Sequence, residues 1–266
     1  MSIESKYTAL VQNFKEMGSA IVAFSGGVDS TLMLYAAHEA LGEKALGVTV
    51  NSPYIAKIEI DDALEISHKM GAKHEIVTYG IPEEVAQNPQ NRCYICKKNI
   101  FTALKAIATQ RGYSSVCEGS NVDDTKDYRP GRVALSELDI KTPLLDVGLS
   151  KDEIRTLSKK FGLQTWDKPS YACLLTRLPY NHLVSEEELR MIEMAEAFMM
   201  GLGFRAVRVR LHEGLLARIE IDKKDFKNIL NEKMFDTITQ KFKAIGFSFS
   251  TLDMSGYQMG SFNKIG

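Results

Sequence analysis

An apolar run from Ala20 to Phe24, closed by Ser25-Gly26-Gly27 and followed by a helix-forming stretch, constrains this chain more than any other feature. The run has the length and character of a buried strand. The glycines let the backbone turn sharply and come close to a ligand. Val28-Asp29-Ser30-Thr31 then leads into helix formers as far as Leu41. Strand, glycine turn and helix start, in that order, aim successive N–H groups and a helix N-terminus at one point, an arrangement suited to phosphate. Ser25 and Ser30 add hydroxyl donors, and Ser30 fits as the N-cap. No Gly-Lys-Ser/Thr follows, so the loop is not of the Walker A kind.

The same alternation continues downstream. Strands are predicted at 45–50, 74–78 and 114–117, with helices at 31–41, 58–70 and from about Lys97 to Gln110. Strands alternating with helices make βαβ units and a Rossmann-like parallel sheet. Ligands of such sheets sit at the carboxyl ends of the strands. That rule places a phosphate-bearing ligand across Ser25, Gly26, Gly27, Asp29 and Ser30, with Asn51 after the second strand and Gly119 to Asp124 after the fourth. A helix over 152–161, capped by Ser150, closes this first domain, expected at residues 1–170. Residues 166–179 break the rhythm. A small α+β domain is expected at 171–266, built from a helix over 185–200 with a capping box of Ser185 and Glu188, paired strands at 206–211 and 216–221, a helix over 224–244 and a strand at 247–252.

Bulk properties narrow the function. The formal net charge of −1 argues against a broad surface for long nucleic acid. No apolar run approaches the length of a membrane span, and the start of the chain lacks a signal-peptide core, so a cytoplasmic protein is expected. Four cysteines in such a chain suggest metal or catalysis more than disulfides. Cys117 lies in an apolar strand and is expected to be a buried, inert thiol. Cys93 and Cys96 form C-Y-I-C, expected just before a helix, and Cys173 lies far downstream. A C-x-x-C motif alone serves zinc and redox chemistry as well. Structural zinc takes four ligands, and His182 is the candidate fourth; an iron–sulfur cluster held by three thiolates keeps one iron open.

Two polar patterns remain. Residues 121–131, N-V-D-D-T-K-D-Y-R-P-G, are too polar for a core; they form a solvated surface loop or offer Asp124 and Arg129 to a bound ligand. Arg208 and Arg210 alternate on a predicted strand, so both face one side; they suit a phosphate, or else line a solvated face. Glu196 and Glu220 stand on the matching helix and strand, and Thr176 and Arg177 follow Cys173 closely enough to share the same ligand.

The motif S-G-G-V-D-S resembles the pyrophosphate loop of the N-type ATP pyrophosphatases. The resemblance implies that ATP is cut between its α and β phosphates, that an oxygen of the acceptor is adenylylated, and that a nucleophile displaces AMP. E-G-S-N-V-D-D followed by D-Y-R-P-G is similar to the second signature of the LarE family, sulfur transferases that mature the nickel-pincer cofactor of lactate racemase. R-L-P-Y after Cys173, V-R-V-R and A-R-I-E extend that likeness over nearly the whole chain. It implies an α/β fold of the adenine nucleotide α-hydrolase type, with Mg2+ bridging the phosphates of ATP. It further implies that Arg208 and Arg210 bind the phosphate of a mononucleotide substrate.

One form of the family has only the cysteine matching Cys173 and surrenders its sulfur. Another adds a C-x-x-C pair and carries a 4Fe-4S cluster. Cys93 and Cys96 put this chain with the second form, with Cys173 as the third ligand. The activity so implied is ATP-dependent conversion of a carboxylate of pyridinium-3,5-biscarboxylic acid mononucleotide into a thiocarboxylate, with sulfide or another sulfur donor, in a homo-oligomer. The rivals are a tRNA thiolase of the same superfamily and, from a different class, a module that senses ATP or redox state without turnover.

Overall fold

Ala20–Ala23 is strand β1, and its apolar residues alternate between two cores. Ala20 and Val22 pack with Leu10, Phe14, Leu32 and Leu157 on one face, while Ile21 packs with Leu46, Phe101, Leu104 and Val116 on the other. A strand buried on both faces is what a run without polar breaks specifies. The computed structural model describes residues 1–125, 130–169 and 171–258. The chain divides into two compact units, Met1–Glu84 with Asn91–Ser170, and Val85–Gln90 with Tyr171–Gly266.

The first unit runs α1 (Ile3–Met17), β1, α2 (Val28–Leu41), β2 (Ala45–Asn51), α3 (Lys57–Met70), β3 (His74–Thr78), α4 (Arg92–Arg111), β4 (Ser115–Cys117), α5 (Gly131–Glu137), α6 (Pro143–Asp146) and α7 (Lys151–Lys160). Its four strands lie in the order β3-β2-β1-β4, all parallel. Ala20 sits opposite Ala45 on one side and Ser115 on the other. Helices cover both faces of the sheet, which is the Rossmann-like architecture expected. The helix ends follow local chemistry. Gly71 closes α3 in the left-handed conformation, returning its N–H to His68 and Ser67. Ser150 and Glu153 form a full capping box on α7.

One boundary differs in a way that matters. Helix α4 begins at Arg92, not near Lys97, so Cys93 and Cys96 lie inside its first turns. Its buried residues are Arg92, Phe101, Leu104 and Ala108, so the apolar periodicity becomes visible only from Phe101 onward. An arginine at the core-facing position of the first turn hides the start from any apolar pattern.

The second unit contains α8 (Glu186–Gly201), β5 (Val207–His212), β6 (Leu216–Ile221), α9 (Phe226–Ile229), α10 (Glu232–Ile245) and β7 (Phe249–Leu252). Its sheet has the order β5-β6-β7, antiparallel between β5 and β6 and parallel between β6 and β7. The helix expected over 224–244 is two helices. Asn231 has left the helical conformation and its side chain accepts from the Met234 N–H, so it caps α10 and ends the continuity. The capping box expected at Ser185 and Glu188 is absent, because the Glu188 carboxylate is taken by His182 Nε2 at 2.7 Å. Among the described residues, no helix is long and apolar enough to cross a membrane.

Candidate functional site

In the first unit, strand order selects the site. The sheet reverses direction of growth at β1, with β2 and β3 on one side and β4 on the other. In such sheets ligands bind in the crevice at the carboxyl edge of this switch point, beside the loops leaving β1 and β4. Ser25 to Ser30 and Gly119 to Asp124 are those two loops. They touch: Asn121 Nδ2 donates to Asp29 Oδ1 at 3.2 Å, and a Cβ on Gly119 would lie 3.4 Å from the Ser30 amide nitrogen. Asn51 ends β2 on the flank of the same edge, exposed, with its carbonyl accepting from Tyr79. Arg129 lies outside the described residues.

The two loop glycines do different work. Gly26 is left-handed, with φ of 65°, and a Cβ there would lie 3.1 Å from the Ala63 backbone nitrogen. Gly27 has ordinary extended backbone and is the N-cap of α2, without a side-chain cap bond. Ser30 is therefore not the cap. It sits within the helix, and its hydroxyl donates to the Gly27 carbonyl while taking the Ser25 N–H. These bonds lock the turn from inside and leave the helix N-terminus to a ligand. Gly26→Ala should destabilise the first unit by about 1–3 kcal/mol, because the new side chain is strained at that φ and crowds α3. Denaturant unfolding checks this, and an unchanged midpoint would show that the turn tolerates a side chain.

Behind the loop, His74 bridges Thr49 Oγ1 at 2.7 Å and Ser67 Oγ at 3.0 Å. Thr49 donates to the Phe24 carbonyl, the last before the loop. Burial lowers the His74 pKa, which keeps the ring neutral and able to accept on one nitrogen and donate from the other.

The charged groups at the loop include two that the sequence reading did not single out. Lys151, the first residue of α7, forms an ion pair with Asp29. Lys168 donates to the Gly26 carbonyl at 3.0 Å and pairs with Asp62 at 2.7 Å. Burial raises the Asp29 pKa, Lys151 pulls it back, and the Asp124 charge adds to the rise. A cation shared by Asp29 and Asp124 would relieve that repulsion, so this pair suits Mg2+ carried on a triphosphate. Lysines are common and mostly solvated, so no pattern in the sequence marks these two.

The cysteines separate into two kinds. Cys117 is fully buried in β4, and burial pushes its thiol up to about 12, as expected of an inert core thiol. Cys93 is exposed, and Cys96 and Cys173 are half-buried; none of the three is in a disulfide. Cys93 and Cys96 are on α4 of the first unit, and Cys173 precedes the short turn Leu174–Arg177 of the second. Among the described residues, no three His, Cys, Asp or Glu side chains are arranged to hold a metal ion. His182 is on Glu188.

In the second unit, β5 is buried along all but its last residue, so Arg208 and Arg210 are core arginines and not a solvated face. Each is built in. Arg210 gives Nε and Nη2 to Glu220, which is wholly buried, at 2.6 and 3.0 Å, and Nη1 to the Thr176 carbonyl. Arg218, across β6, also reaches Glu220 at 3.2 Å and Asp253 at 3.4 Å. Arg208 lies over the rings of Tyr171 and Tyr257, its guanidinium carbon 4.8 and 5.1 Å from their centres. Burial lowers the Arg208 pKa, and the charge of Arg177 lowers it further. A guanidinium in that position gains from a nearby anion.

Two expectations change here. Arg177 is fully buried and forks onto Glu196 at 2.9 and 2.8 Å; burial opposes its charge, but Glu196 outweighs this and its pKa is raised. Its third nitrogen serves the Ala172 and Cys173 carbonyls and Thr176 Oγ1. Its donors are thus spent on the protein, and it braces the Cys173 segment. Glu196 and Glu220 face arginines, with Glu196 also taking the Val209 N–H, so they are counter-charges that orient the cations.

Residues 19–178 match the family described as Queuosine biosynthesis protein QueC. The chain is 38% identical over 266 residues to an uncharacterized protein of Synechocystis sp., covering 99% of this chain and 98% of that one. It is 31% identical over 265 residues to the pyridinium-3,5-bisthiocarboxylic acid mononucleotide synthase of Lactiplantibacillus plantarum, covering 98% and 95%. It is 27% identical to the tRNA-specific 2-thiouridylase MnmA of Rickettsia massiliae, over 58% of this chain and 53% of that protein.

Proposed function

We propose, for a chain that belongs to the QueC-like family of PP-loop ATP pyrophosphatases, an ATP-dependent sulfur insertion into a carboxylated pyridinium mononucleotide. The observation that carries this reading is the buried arginine array of the second unit, in a chain similar along its whole length to a pyridinium mononucleotide synthase. Arg208 and Arg210 would supply positive charge for a phosphate dianion in a low-dielectric setting, Arg210 with its nitrogens already on Glu220 and the Thr176 carbonyl. The Thr176 hydroxyl, which donates to the Cys173 carbonyl at 2.9 Å, would exchange that bond to serve the phosphate. Glu196 and Glu220 hold the arginine forks in place.

The chemistry follows in two steps. A substrate carboxylate attacks the α-phosphorus of ATP, forming an acyl-adenylate and expelling pyrophosphate. The loop amides after Ser25 and the N-terminus of α2 take the leaving pyrophosphate; Asp29 and Asp124 would hold a magnesium ion, which would supply charge neutralisation there. A sulfur nucleophile then adds to the acyl carbon and AMP departs, leaving the thiocarboxylate. The reason for the first step is simple: a carboxylate is a poor electrophile, and AMP makes it a good one. Two lysines beside the loop, Lys151 and Lys168, add positive charge where negative charge develops. A tRNA substrate has weaker support, since the likeness to the thiouridylase covers 58% of the chain.

The sulfur source is proposed as sulfide on a 4Fe-4S cluster held by Cys93, Cys96 and Cys173, none of which is in a disulfide. Thiolates are the ligands such a cluster requires. Among the described residues, no group of three His, Cys, Asp or Glu side chains is arranged to hold a metal ion. Protein purified without oxygen should contain iron and acid-labile sulfide. Replacing Cys93, Cys96 or Cys173 by Ala should remove both and stop turnover, and Cys117→Ala should do neither. If Cys173→Ala alone is inactive, and the spent protein is lighter by one sulfur and two hydrogens, Cys173 is instead the sacrificial donor.

The phosphate site has its own test. Arg208→Ala should weaken binding of the mononucleotide by about 2–5 kcal/mol, with ATP affinity unchanged. Calorimetric titration separates the two ligands. Equal mononucleotide affinity in variant and wild type would remove Arg208 from the site.

A further inference from the structure

The segment Ala172–Pro179 carries Cys173 and Thr176, and the protein holds it by its carbonyls. Ala172 and Cys173 are held by Arg177, and Thr176 by Arg210. The carbonyls of Leu175, Leu178 and Pro179 are held by one residue that no motif marks. Asn88 Nδ2 reaches them at 3.2, 3.2 and 2.7 Å. Asn88 is fully buried, comes from the short stretch Val85–Gln90 that folds with the second unit, and has φ of 48°. Its own backbone is tied at both ends: its N–H donates to Val85, and its carbonyl accepts from Asn181 at 3.2 Å. The neighbouring Ala86 carbonyl takes the Val184 N–H at 2.7 Å, so the stretch is stitched to the chain on the far side of Pro179.

Only asparagine meets these demands together. It tolerates the left-handed backbone better than other residues with a side chain. Its amide supplies two N–H donors from a short stem, where aspartate would set carboxylate oxygen against three carbonyl oxygens. The amide orientation is settled by the same three acceptors, and its Oδ1 atom is left buried without a partner. A buried polar atom left unsatisfied has a cost, and here it accompanies a threefold grip on one loop.

We propose that Asn88 is a positioning residue for the acceptor-binding segment. By fixing the carbonyls of Leu175, Leu178 and Pro179, it sets where Thr176 and the Cys173 side chain stand. The inference rests on the reading that this segment serves the mononucleotide acceptor, and its test separates the two.

Asn88→Gly keeps the backbone conformation available and deletes the whole side chain; Asn88→Asp keeps the shape and reverses its polarity. Two quantities are measured on the full-length protein. One is hydrogen exchange at the Thr176 and Leu178 amides, with the Val209 amide as a reference within the same unit. The other is KM for ATP and for pyridinium-3,5-biscarboxylic acid mononucleotide. Asn88→Gly should speed exchange at Thr176 and Leu178 about tenfold or more, with Val209 unchanged. It should raise KM for the mononucleotide about tenfold, with KM for ATP within about twofold of wild type. Asn88→Asp should do both at least as strongly. Unchanged exchange at Thr176 and Leu178 overturns the inference, as does an equal rise at Val209, which would mean general loosening. If wild-type protein does not act on this acceptor, the proposed function fails, and exchange alone decides whether Asn88 holds the segment. If the acceptor is used and exchange rises with both KM values unchanged, the positioning role is overturned.

Discussion

Asp29→Ala should lower the rate of ATP cleavage by about 10²–10³-fold, the usual cost of losing one preorganised charged contact at a developing anion. Asp29 stands in the first turn of α2, at the crevice between the loops after β1 and β4, and bonds Lys151 and Asn121. Alanine is a good helix former there, so the fold should survive. Asp29→Asn provides the finer comparison, since it keeps a carbonyl oxygen for Asn121 and removes the charge that a magnesium ion needs. It should resemble the alanine variant in rate. Wild-type protein supplied with ATP and acceptor should release AMP and pyrophosphate. Release of ADP and phosphate would refute cleavage between the α and β phosphates, and a fully active Asp29→Ala would take this carboxylate out of the chemistry.

Glu220→Ala should destabilise the second unit by about 3–5 kcal/mol, because it strands buried cations without their counter-charge. Glu220 is wholly buried and receives two bonds from Arg210 and one from Arg218. In a unit of this size, the loss corresponds to a fall of about 10 °C or more in Tm. The double variant Arg210→Met with Glu220→Leu removes both charges and should recover most of the stability, since apolar replacement of a buried pair is often neutral. It should still fail to bind the mononucleotide tightly. Thermal unfolding followed in parallel with calorimetry tells the two effects apart. A single variant as stable as wild type would mean that the array is solvated. A double variant with full affinity would mean that Arg210 is not part of the acceptor site.

Much of the first unit is legible along the chain because its signals are local. A strand buried on both faces reads as an unbroken apolar run, and β1 is one. Gly71 after α3 and Ser150 before α7 are capping signals that act within a few residues. The errors arise where a distant group competes for a local one. Glu188 is recruited by His182 and not by the end of α8. Arg92 replaces an apolar residue at the start of α4 and hides two turns that carry Cys93 and Cys96.

The glycine loop, the βα alternation, the C-x-x-C pair and the alternating Arg208 and Arg210 are properties of neighbouring residues, and the sequence by itself determined them. Strand order, by contrast, depends on which faces can be buried together, and only the folded sheet made β1 and β4 the borders of one crevice. Only the fold turned Arg208 and Arg210 inward and spent Arg177 on Glu196 and the Cys173 segment. It also brought Lys151 to Asp29 and Asn88 to three carbonyls, across intervals of 122 and up to 91 residues. Spacing along a chain records what adjacent residues can do to one another. Which distant charge or amide satisfies a buried group is decided when burial removes the water that would otherwise have satisfied it.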